Sequence, residues 1–140
     1  MRAQRAGNEH VLIFDPGDEV LETFTRYLDE QRVTAGRFQA IGGFKQFQLK
    51  YFDTGTMQYQ SRDFEQQVEV LSLMGDVSRR DGQPFIHPHA VLGTADYQTL
   101  GGHLGRGVVE PTLELVLTVL DTELVREKDQ RTGLDLIRPR

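Results

Sequence analysis

Thr112-Leu-Glu-Leu-Val-Leu-Thr-Val119 places leucine or valine at 113, 115, 117 and 119, with threonine or glutamate at 112, 114 and 118 between them. Successive side chains of a β-strand leave opposite faces, so this alternation predicts a long strand with one well-buried face. Reading outward from it, Val68-Glu-Val-Leu-Ser-Leu73 is apolar on both faces except for Glu69 and Ser72, which predicts an interior strand. Arg37-Phe-Gln-Ala-Ile41 and Phe44 to Phe52 read as strands flanking Gly42-Gly43, a pair that permits a bulge or a tight change of direction. Phe85 to Leu92 and Gln98 to Leu104 are further strands, set off by turns at Arg79-Arg-Asp-Gly82 and Thr94-Ala-Asp-Tyr97. Asp53-Thr-Gly55 is another turn, and Glu123 to Arg126 leads through Asp129 to Gly133 to an apolar tail, Leu134-Asp-Leu-Ile137.

Only the early part of the chain departs from this texture. After a short strand at His10-Val-Leu-Ile-Phe14, Asp15-Pro-Gly-Asp18 breaks the pattern and opens a helix, with Asp18 and Glu19 suited to the positive end of its dipole. Val20, Leu21, Phe24, Tyr27 and Leu28 form one apolar stripe at helical spacing, and Glu22, Arg26, Asp29 and Glu30 face water. One helix plus six or more strands predicts the α+β class, as a mostly antiparallel twisted sheet with the helix packed on one face. There is no internal repeat, low-complexity stretch or linker, so residues 1–140 read as one domain.

Composition narrows the classes. A hydrophobic fraction of 38% and a charged fraction of 26% suit a globular chain and exclude a disordered one. No apolar run reaches the ~18–20 residues needed to span a bilayer, and Met1 to His10 lacks the apolar centre of a signal peptide. With no cysteine there is no disulfide framework and no thiolate site, and a cytoplasmic setting is the default expectation. The net charge of −5 counts against unassisted DNA binding, because Lys and Arg on phosphates supply most non-specific affinity.

Three of the four histidines gather in two neighbouring strands. His87 and His89, two apart, leave the same face of their strand. An odd-numbered hairpin loop puts His103 on that face too, opposite His87 or His89, where Cβ atoms lie ~4.5–5.5 Å apart. The imidazoles can then converge on one ion at the ~2.0–2.1 Å of a Zn–N bond. The alternative is a cross-strand cluster that is merely hydrogen-bonded. Gly101 and Gly102 leave the sheet bare beside the rings, which suits a site that something must enter. Zinc, nickel, copper and iron all accept imidazole, so the donor set points to a divalent metal, with zinc first. Pro88 cannot donate to a ladder, which predicts an edge or a bulge there. His10, at a strand start, reads as ordinary surface.

Glu69 is out of place among Leu71 and Leu73 on one predicted strand face, where a carboxylate is costly unless paired. It is a candidate extra ligand, orienting partner or general base; the plainer reading is a structural partner for an arginine or a backbone amide.

These segments together resemble the PPC (plants and prokaryotes conserved) domain family. Pro16-Gly-Asp-Glu-Val-Leu21 is similar to its helix-opening segment and Ala40-Ile-Gly-Gly43 to its glycine turn. Phe64 to Gly75 resembles its central strand, and Thr132-Gly-Leu134 its tail. His87-Pro-His-Ala-Val-Leu92 with Gly101-Gly-His-Leu104 is similar to its paired histidine motifs. The resemblance implies a homotrimer of α+β subunits whose three histidines hold a metal such as zinc. It also implies a DNA-binding label, since plant members join the domain to AT-hooks. Arg138-Pro-Arg140 lacks the Gly-Arg-Pro core of such a hook.

Three functions are therefore open: a trimeric module that binds DNA or a regulatory protein, a metal-dependent enzyme with Glu69 as a candidate base, and a small-ligand sensor that uses the metal to grip a carboxylate on a small-molecule ligand. No phosphate loop, dinucleotide fingerprint or nucleophile motif points to a substrate.

Overall fold

The computed structural model describes residues 1–139. The elements run β1 (Arg2–Ala6), β2 (Glu9–Phe14), α1 (Val20–Glu30), β3 (Gly36–Asp53), β4 (Gln58–Phe64), β5 (Val68–Arg80), β6 (Gln83–Gly93), β7 (Thr99–Val119), β8 (Arg126–Lys128) and β9 (Asp135–Ile137). β1 to β7 form one seven-stranded sheet in the order β1-β2-β7-β6-β5-β3-β4, and β8 and β9 form a separate hairpin. Every ladder is antiparallel. β7 also pairs with β3, so β3, β5, β6 and β7 close a circuit of pairings around the core.

The α+β class and the antiparallel sheet are as expected; the closure was not read from the sequence. The stretches 98–104 and 112–119 are two ends of one strand, β7, which touches β6 through Thr99–His103 and β2 through Leu113–Thr118. The segments 37–41 and 44–52 likewise merge into β3, with a register shift between Ala40 and Gly42. At Gly42, φ is 152°, and a Cβ would collide with the Thr112 carbonyl oxygen, so this position needs glycine.

α1 packs its stripe inward. Val20, Phe24 and Leu28 are buried, and the Phe24 ring meets Phe38 edge-on at 5.2 Å between centroids. Each such side chain contributes about 1.5–3 kcal/mol relative to exposure. Glu19 caps the helix by accepting from the Glu22 amide at 2.7 Å, and its other oxygen accepts from the Gly107 amide at 2.9 Å. One carboxylate therefore fixes both the start of the helix and its position on β7.

Two expectations are corrected. His10 is not surface: it is 2% exposed, with its Nδ1 3.1 Å from the Tyr27 hydroxyl, because β2 is covered by α1 at that point. Glu69 does not lie buried among leucines. Leu71 is an extra residue between the pairs Val70–Leu92 and Ser72–Val91, and this bulge changes the phase of the strand. Leu73 points inward, whereas Glu69 and Leu71 face out. Among the described residues, no helix is long and apolar enough to cross a membrane.

Candidate metal centre

The turn at Asp81-Gly82 sets the β5–β6 register, in which Asp76 faces His87 and Met74 faces His89. The loop Thr94–Gln98 is odd-numbered, and it sets His89 directly opposite His103. β6 pairs with β7 only from His89 onward, so Pro88 stands where β6 becomes an edge. The result is two adjacent cross-strand rows on the face turned away from α1. One runs Glu9, Thr118, Arg37, Asp76, His87; the other runs Val116, Gln39, Met74, His89, His103.

The three imidazoles converge. His87 Nε2 lies 3.2 Å from His103 Nε2 and 3.3 Å from His89 Nε2. Two nitrogens bound tetrahedrally to one zinc at ~2.0–2.1 Å stand about 3.3 Å apart, so the spacing fits a shared ion. On the far side of His87, Nδ1 lies 3.3 Å from Asp76 Oδ2. Asp76 Oδ1 accepts a 2.6 Å bond from Arg126, whose side chain also donates to Ser78 Oγ and to the Asp135 carbonyl. Arg126 Nη2 also lies 3.4 Å from His87 Nδ1, but its 2.6 Å bond goes to the carboxylate; with Nδ1 protonated toward Asp76 Oδ2, the Nε2 lone pair is aimed at the cluster. Tyr59 from β4 brings its hydroxyl to 3.3 Å from His103 Nε2.

Electrostatics favour neutral rings at His89 and His103. Partial burial pushes His103 down to about 4, helped by His89, His87 and Lys50. Burial lowers His89 as well, with His87 adding and Asp76 opposing. Burial alone would raise Asp76, but its bonds from His87 and Arg126 outweigh that and hold it below the usual carboxylate range. At His89 and His103, then, burial favours a lone pair over a proton toward the shared point.

A cluster held by hydrogen bonds alone is frustrated here. With its proton committed to Asp76, His87 Nε2 has one lone pair for two neighbouring nitrogens, and His103 Nε2 is also approached by Tyr59.

The structure thus brings His87, His89 and His103 together and leaves Glu69 elsewhere. Glu69 pairs with Gly43 and Gly93 on β5, seven residues from Asp76 and on the order of 20 Å along the strand. The carboxylate beside the histidines is Asp76, which the sequence reading missed. The signal was present: a two-residue turn at Asp81-Gly82 pairs 80 with 83 and hence 76 with 87. No comparable signal marks Arg126, which reaches Asp76 from 50 residues away, or Tyr59.

The family model of the Plants and Prokaryotes Conserved (PCC) domain matches residues 1–121. The chain belongs to that family. This is the PPC family of the sequence resemblance, and solved structures repeat its fold. A metal-containing protein from Archaeoglobus fulgidus is 31% identical, with a TM-score of 0.89 and 96% of each chain covered. A PPC protein from Pyrococcus horikoshii is 25% identical, with a TM-score of 0.86 over 99% of this chain and 94% of that one. A Bacteroides thetaiotaomicron protein, described provisionally as DNA-binding, is 23% identical with a TM-score of 0.95, covering 98% and 96%. No curated protein matches the sequence.

Proposed function

We propose that this PPC protein binds one divalent metal ion, zinc first, through Nε2 of His87, His89 and His103, and that it works as a homotrimer. The observation that carries the reading is the mutual approach of the three Nε2 atoms, with Asp76 fixing the tautomer of His87. An ion held there would supply Lewis-acid polarisation to an oxygen ligand in its open position. The Archaeoglobus relative, described as metal-containing, supports the presence of a metal. A role for Glu69 as the base of an enzyme has no support, given its distance from the cluster. Metal analysis of untagged protein tests the reading. About one ion per chain is expected, falling severalfold when His87 and His103 are both replaced by alanine. Equal metal content in the two proteins would overturn it.

DNA binding is the second reading, favoured by the description of relatives such as the Bacteroides protein. A net charge of −5, multiplied by assembly, opposes it. Weak, salt-sensitive binding to random duplex is expected in a mobility-shift titration at about 150 mM salt, and submicromolar affinity there would make DNA the primary partner.

A further inference from the structure

A cleft of about 460 Å³ opens beside His87 and His89, and most of its lining comes from the two cross-strand rows, His103 excepted. His87 and His89 stand at one end and Glu9 at the other, with Arg37 and Gln39 between. Arg37 is the informative residue. It sits in register with Asp76, yet the Asp76 carboxylate is already engaged by Arg126 and His87. Among the described residues, the Arg37 guanidinium has no ion-pair partner. In a chain of net negative charge, this wall of the cleft therefore carries an uncompensated cation two strands from His87. A divalent ion on the three imidazoles would place a second positive charge at the histidine end of the cleft. A guanidinium is a planar donor whose best partner is a carboxylate taken in bidentate fashion. Glu9 lies on the opposite side of Thr118 from Arg37, and as an anion it discourages a second negative group at that end.

We infer that this cleft is a binding site for a small carboxylic acid carrying a second oxygen donor, with the carboxylate on Arg37 and the second oxygen directed to the three-histidine centre. The inference rests on the metal reading. It extends that reading by naming the ligand class and the residue that selects it. Gln39, beside Arg37 on the same face of β3, offers an amide to the ligand between the two ends.

Cobalt(II) provides a test that separates the two ideas. The absorption bands of the cobalt-loaded protein report whether metal is bound at all. Their change on titration with succinate, glutarate or pyruvate reports ligand entry. At least one acid should give a saturable change in the millimolar range or below, and butane-1,4-diol should give none. The variant Arg37→Gln should bind cobalt with unaltered bands but need at least about tenfold more acid. A protein that takes up no cobalt defeats the metal reading. Bound cobalt whose bands ignore all three acids to ~20 mM defeats the ligand site alone. Equal titrations for Arg37→Gln and the parent would overturn the role of Arg37, since the acid would then be held by the metal only.

Discussion

Asp76 and His87 face each other across the β5–β6 ladder, with Oδ2 3.3 Å from Nδ1. The same carboxylate takes a 2.6 Å bond from the guanidinium of Arg126, a side chain only 5% exposed. Asp76 therefore links the rim of the histidine cluster to a buried cation. This makes its two roles separable by substitution.

Asp76→Asn keeps an acceptor for Arg126 but removes the charge that orients His87. Metal affinity should fall about 10–100-fold, as is usual for a lost outer-shell carboxylate, with the fold retained. Competition against a chromophoric chelator measures this. Unchanged affinity would mean that His87 is held by packing alone.

Gly75 lies on β5 opposite Pro88 of β6, beside the site. A Cβ there would land on the His87 carbonyl oxygen and lie 2.9 Å from Phe38 Cζ. Gly75→Ala should cost about 1–3 kcal/mol in a urea titration, and should weaken metal binding by displacing His87. A variant as stable as the parent would show that β6 can shift freely.

His10 gives a pH dependence with a definite sign. Burial lowers its pKa below 6.5, with Arg5 adding, so the folded protein resists a proton that the unfolded chain accepts. Stability is full above about pH 6.5 and falls as pH drops below it, because the unfolded state then binds more protons. His10→Phe should flatten this limb between about pH 7 and 5, read as the difference between denaturation midpoints of variant and parent. Parallel curves would remove His10 as the cause.

Assembly should leave a mass about three times 16.0 kDa in light scattering. Ile41, Leu71 and Val91 stand 60%, 52% and 44% exposed on β3, β5 and β6, apolar surface that assembly would cover. A monomer at micromolar concentration would count against a trimer.

Much of the site was legible because it is local in sequence. Two consecutive strands joined by a short loop carry all three histidines, so strand alternation and loop parity sufficed to place them on one face. The errors arose where a longer-range effect intervened. The bulge at Leu71 changes the phase of the strand between Glu69 and Leu73, and a single alternation carried through all six residues put Glu69 on the wrong face. β1 is exposed along its whole length and carries no apolar rhythm, so only its pairing with β2 reveals it as a strand. His10 shows neither burial nor a partner until α1 places Tyr27 beside it.

The family match ends at residue 121, whereas the guanidinium that braces Asp76 comes from residue 126. A chain cut at the family boundary would lose that brace along with the β8–β9 hairpin. Ser78 would lose its donor, and Asp76 would have one cationic partner fewer beside His87. Residues beyond the matched span are thus placed to tune the histidines within it.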